Sequence, residues 1–117
     1  MQKETDGIRK IAANYIFVPG WPLVKNGYVE ISGFQGVRVV DTHGQIKEIA
    51  GLEFYGGMIV PDYVCACKSL LLPEVEILPF LERLFAQKGN VYQRVALIEG
   101  ADLIRLVWKE RAAIRLL

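Results

Sequence analysis

Three residues in this chain carry the thiol or imidazole chemistry of metal ligands and nucleophiles. Cys65 and Cys67 stand one residue apart in Pro61-Asp62-Tyr63-Val64-Cys65-Ala66-Cys67-Lys68-Ser69, and His43 is the one histidine. Thiolate and imidazole suit zinc, but a structural zinc site takes four ligands, and these three are the full supply of those types. Positions i and i+2 of a strand share a face, yet such close neighbours rarely form an unstrained disulfide. Two cysteines also fall short of a secreted disulfide framework, so the pair reads as reduced, half-buried thiols. A nucleophilic Cys67 needs a lowered pKa and a base beside it, and no histidine neighbours it in sequence. His43 lies between Thr42 and Gly44 in a turn pattern and reads as solvated, because a general base needs a positioned partner and a pocket. Glu53 and Asp62 are a conceivable carboxylate pair, but their spacing does not require them to meet. No catalytic, cofactor-binding or metal-binding residue is assigned, and no cofactor is expected.

The elements that would position these groups are mostly short strands. Ile11, Tyr15, Ile16, Phe17 and Val18 are β-formers within 9–18, and Pro19-Gly20 ends the run with a turn. A short strand over 22–25 precedes Asn26-Gly27, which favours a two-residue hairpin because both residues tolerate positive φ. Tyr28–Ile31 is then the return strand. Gly33 and Gly36 bracket a tight turn before a strand over 37–40. A weaker strand is expected over 45–49 and another over 52–55. Gly56-Gly57 separates the latter from the apolar run Met58-Ile59-Val60. The Gly33/Gly36 and Gly56-Gly57 pieces lack the strand–loop–helix context of a phosphate loop and read as turns.

Leu72-Pro73-Glu74 suggests a helix start, with proline in the first turn and acids at the positive end of the dipole. Over 73–88, Ile77, Leu78, Phe80, Leu81, Leu84 and Phe85 share one helical face. Lys88-Gly89 ends the pattern. Pro79 predicts a kink, or a separate turn over 73–78. Strands are expected again over 91–98, 103–108 and 113–117. The scattered aromatics, Trp21, Tyr28, Tyr55, Tyr63, Tyr92 and Trp108, read as core or strand-face residues.

Composition narrows the functional classes. The 117 residues suit one domain, and an apolar share of 52% can form a core. The net charge of +1 offers no footprint for nucleic acid, and no basic amphipathic segment points to a membrane surface. No run reaches the roughly 18 apolar residues of a membrane span, and the polar N-terminus is unlike a signal peptide. The expected location is cytoplasmic.

Gly57-Met58-Ile59-Val60-Pro61 and the residues after it resemble the entry to the catalytic barrel in the amidohydrolase superfamily of metal-dependent hydrolases. That motif runs Ile-Val-Pro-Gly-Phe-Val-Asn-Ala-His-x-His. Ile59, Val60, Pro61, Val64 and Ala66 match, Tyr63 replaces the aromatic, Asp62 the glycine and Cys65 the asparagine. Upstream, Ile11–Ile16, Leu23–Ile31 and Val37–Val40 resemble the family's opening strands. Leu97–Leu103 and Ala113–Leu117 resemble its closing ones. The resemblance covers roughly 9–69 and 94–117, with boundary errors of about two to four residues. It implies an α+β, mainly β fold, a composite β-sandwich with strands from both ends of the chain and one connecting helix.

Two departures bear on function. The family's paired metal-binding histidines fall on Cys67 and Ser69. The barrel, which takes about 200 residues or more, has no room between Ser69 and Arg94. The expectation is therefore one domain over 1–117: N-terminal strands (9–60), a degenerate metal-motif segment (61–69), a helix (73–88) and C-terminal strands (91–117). Its leading reading is a non-catalytic domain with a structural or interaction role. The alternatives are an accessory chain docking on a separately encoded barrel, or a residual hydrolase acting on C–N bonds. Expected partners are a second copy, as a homodimer, or a barrel-containing protein. Ile77, Phe80, Leu81, Leu84 and Phe85 are the interaction candidates, weighed against packing of the same face on the chain's own sheet.

Overall fold

The computed structural model describes residues 9–20, 22–25, 27–32, 36–40, 51–62, 72–88 and 94–117, and for Phe85, Gln87 and Lys88 the backbone alone. Its elements are β1 (Arg9–Ile16), β2 (Val24–Lys25), β3 (Tyr28–Ser32), β4 (Gly36–Val40), β5 (Leu52–Pro61), α1 (Ile77–Lys88), β6 (Val95–Glu99) and β7 (Ala113–Leu116). The strands form one mixed sheet in the order β4-β3-β1-β5-β6-β7, with β2 also on β1. Neighbours run antiparallel except β1 and β5, which are parallel. The fold is therefore α+β and mainly β. Strands from the two ends of the chain meet at the β5–β6 ladder.

β5 and β6 are interior strands of this sheet, and their paired portions are covered on both faces. Every residue from Gly57 to Pro61 and from Val95 to Ile98 is buried. That is why both segments read as unbroken apolar runs rather than alternating ones. On one face, Met58, Val60, Ala96 and Ile98 pack with Phe17, Trp108 and the helix. On the other, Ile59, Val95 and Leu97 pack with Ile11, Ala13 and Val29.

Several sequence expectations need correcting. Asn26-Gly27 does not join an antiparallel pair. β2 and β3 lie on the same side of β1 in one continuous register, Ile16 opposite Val24 and Ala12 opposite Tyr28. Pairing along β1 overrides the local turn preference, and the reversal occurs earlier, at Pro19-Gly20, where Gly20 has φ of +84°. Asn26 itself, and the expected strand over 45–49, lie outside the described residues. Gly56-Gly57 does not end a strand either. β5 is continuous from Leu52 to Pro61, and the two glycines stand opposite the single residue Asn14 between the pairs Ala13–Tyr55 and Tyr15–Met58. This is a bulge, one extra residue in β5.

Gly57 is required at that bulge. Its φ is +145°, and a Cβ there would meet the Ile98 carbonyl oxygen at 2.3 Å. The interrupted ladder deprives its N–H of a backbone acceptor, and Asn14 Oδ1 accepts that N–H at 2.9 Å instead.

The helix begins at Ile77, later than Leu72-Pro73-Glu74 implies. Leu72–Val75 is a turn closed by Val75 N donating to the Leu72 carbonyl at 3.1 Å. The first helical bond runs from Phe80 N to the Glu76 carbonyl, 3.4 Å. Pro79 then sits in the first turn, where N–H groups have no intrahelical acceptor, so its missing donor causes no kink. The expected strand over 103–108 is instead a turn. Asp102 Oδ1 accepts the N–H groups of Ile104 and Arg105 at 3.1 and 3.0 Å. Only isolated bridges, Val107 with Asp102 and with Glu76, remain of strand pairing. A side chain that captures backbone donors locally competes with the sheet ladder.

Candidate functional site

β5 carries the chain to the position of the degenerate motif. Pro61 is its last residue, paired with Val95, and Asp62 N donates to the Arg94 carbonyl at 3.2 Å. The segment between Asp62 and Arg94 therefore leaves and re-enters the sheet at adjacent strand ends, and α1 lies within it. Cys65, Cys67 and Ser69 lie outside the described residues, as does His43. Among the described residues no group of three His, Cys, Asp or Glu side chains is gathered as a metal site.

Glu53 and Asp62 do not form a carboxylate pair. They flank a single extended strand and stand about 30 Å apart at the usual rise per residue. Glu53 instead accepts a forked pair of bonds from Arg9, 2.8 and 3.1 Å, and one from the Tyr55 hydroxyl, 3.0 Å. The Arg9 bonds hold its carboxyl below the ordinary 4.5 against the opposing effect of desolvation, with the Tyr55 hydroxyl assisting. The Arg115 guanidinium lies 5.4 Å from the Tyr55 ring centre and donates to both Glu99 oxygens, at 3.1 and 3.4 Å. One network thus links β1, β5, β6 and β7 across one face of the sheet. Its members are a third to a half exposed, so it serves register more than stability.

The helix face singled out in the sequence packs on the sheet. Ile77 and Leu81 are fully buried and Phe80 nearly so, in one cluster with Met58, Val60 and Ile98. Leu78 and Leu84 are partly buried against it. The surface of Ile77, Phe80 and Leu81 is therefore used within the chain. The Phe85 side chain lies outside the description. Among the described residues the large apolar groups that face solvent are elsewhere: Ile104, 95% exposed at the tip of the 102–106 turn, Phe54 on β5 and Leu72, each 62% exposed, and Leu116 on β7.

Sequence reasoning missed the charged cluster beside that turn. Glu74 accepts from Arg105 at 3.0 Å and from Lys109, and Asp102 pairs with Arg105 at 3.8 Å. Lys109 and then Arg105 hold the Glu74 carboxyl below its ordinary value. Asp102 is lowered chiefly by the Arg105 backbone N–H, then by that of Ile104. Glu74 is also one of two non-glycine residues with positive φ among the described residues, at +70°, the other being Leu106 at +56°. Nothing in a window of sequence links residue 74 to residues 105 and 109; only the fold does. Two hollows flank this turn. One of about 500 Å³ is lined by Gly100, Ala101, Asp102, Lys109, Glu110 and Arg111. The other, about 380 Å³, lies between Asn14, Tyr15 and Lys25 and the turn residues Leu103 and Ile104.

Comparison with family models, with curated proteins and with solved structures gave no match. Among the described residues no helix is long and apolar enough to cross a membrane.

Proposed function

We propose that this chain is a non-catalytic β-domain with a structural or interaction role, related to the composite β-domain of amidohydrolase-type metal-dependent hydrolases. The observation that carries the reading is the junction at Asp62 and Arg94, whose backbones are hydrogen-bonded at 3.2 Å. A domain assembled from both ends of a chain needs its two halves to meet where the intervening segment departs and returns. Here N-terminal β5 and C-terminal β6 pair at that point, and Asp62 immediately precedes the segment that resembles the barrel entry. In place of a barrel the connection contains α1, whose apolar face packs on the sheet. Substitution of the paired histidines by Cys67 and Ser69 removes the ligands that such a hydrolase would use.

The test is direct. The purified chain should hold no stoichiometric metal and should not hydrolyse C–N bonds. Turnover that follows bound metal would sink the proposal and favour a residual hydrolase. If the domain docks on a separately encoded barrel, it should co-purify from its source with a barrel protein lacking its own composite domain. A homodimer would instead show in the mass measured by light scattering.

A further inference from the structure

We propose that residues 72–76 and 102–106 form a charge-locked latch that opens while the sheet stays intact and so uncovers Val107, Trp108 and the start of α1. Besides the pair of bonds between Asp102 and Val107, both 3.1 Å, few backbone bonds hold these segments to the residues they cover. Glu74 N donates to the Trp108 carbonyl at 2.7 Å, Trp108 N to the Val75 carbonyl at 2.8 Å and Ile77 N to the Leu106 carbonyl at 2.9 Å. None of these belongs to the sheet ladders. The latch therefore has its own set of hydrogen bonds to break, which is the condition for opening below the free energy of global unfolding.

Each side also holds one strained residue. Glu74 at φ +70° and Leu106 at +56° occupy a region that side chains larger than glycine rarely adopt. Opening releases both. Release is opposed by Val75, Leu103 and Leu106, which pack against the core, and by the charge arrangement, with the Glu74 carboxylate between Arg105 and Lys109. Asp102 faces Arg105 from the same segment. Glu76 on one segment and Glu110 and Arg111 beyond the other complete the charged groups nearby. Under the latch lie Val107 and Trp108, both buried, with Ile77. Its tips are already apolar and exposed, at Leu72 and Ile104. Opening thus joins two small exposed apolar tips to a larger apolar surface containing an indole. The charged lock makes that exposure depend on salt and on the ionisation of Glu74, whose carboxyl Lys109 and Arg105 hold below its ordinary value.

Amide hydrogen exchange on the full chain tests this. The expected result is that the amides of Glu74, Ile77 and Trp108 have lower protection than those of β5 and β6. In Glu74→Gln, their protection should fall a further three- to fivefold or so, the factor expected for losing a small exposed ion-pair network, while β5 and β6 are unchanged. If Glu74→Gln does not fold, the wild-type chain moved from about 0.1 M to about 1 M salt gives the same readout by screening. Equal protection of latch and sheet amides, moving together under every perturbation, overturns the proposal. So does a Glu74→Gln variant with unchanged latch amides.

Discussion

Replacing Gly57 with alanine tests whether the β1–β5 bulge is built around a backbone that admits no side chain. The added carbon would lie 2.3 Å from the Ile98 carbonyl oxygen and 3.1 Å from Leu97 Cδ1, so β5 must move away from β6. That displacement weakens about two ladder hydrogen bonds at about 1 kcal/mol each. Forcing alanine to φ +145° adds about 1–3 kcal/mol. The expected loss is about 3–5 kcal/mol, a large part of a typical domain stability of about 5–15 kcal/mol. Gly20→Ala is the control. Gly20 also has positive φ, +84°, but no atom lies within 4 Å of its would-be Cβ. It should lose only the backbone preference, about 1–2 kcal/mol. Urea titration of both variants, read as a shift in midpoint at constant slope, separates the two. If Gly57→Ala cost no more than Gly20→Ala, the close β5–β6 approach would not be what demands glycine.

Asn14→Ala removes the acceptor that Gly57 N uses at the bulge and should cost about 1–3 kcal/mol by the same titration. Leu81→Ala should cost about 2–5 kcal/mol, because the side chain is fully buried against the sheet, whereas Ile104→Ala should stay within about 0.5 kcal/mol. A Leu81→Ala chain as stable as wild type would place that face outside the core. The folded-state pKa of Glu53 lies below its ordinary 4.5 through the Arg9 bonds. Its stabilisation is therefore complete above that value and is lost as pH falls through the lowered one. The half-exposed setting of the pair limits the effect to about 1 kcal/mol or less. Glu53→Gln should remove this part of the acid dependence, seen as a flatter midpoint-against-pH curve below neutrality.

The parts of the fold legible in sequence are those where local preference and tertiary pairing agree. The strands at 9–16, 28–32, 36–40 and 113–116 alternate or run apolar as their burial requires. The misread places are those where pairing with a distant strand overrides a local signal. Asn26-Gly27 suits a hairpin, but β1 is long enough to pair on both sides of it. Gly56-Gly57 suits a break, but β1 and β6 carry the strand through. Leu103–Trp108 has strand-forming side chains, yet Asp102 captures the backbone donors that a ladder would need. The apolar helix face was legible from its 3.6-residue period. Its destination was not, because periodicity says which side chains are buried and not against what. The Glu74 cluster gathers groups about 30 positions apart, so no local pattern could announce it.

We propose that this chain is a composite-type β-domain without a hydrolase in it. The most direct measurement is on the double variant Cys67→His/Ser69→His, which restores the paired histidines where the resemblance places them. Metal content and turnover of C–N bond substrates should be measured together. Adventitious metal binding at most, with no turnover, is the expected result, because the remaining ligands and the catalytic aspartate of such enzymes come from a barrel for which the chain has no room. Robust metal-dependent turnover by the double variant would contradict the account.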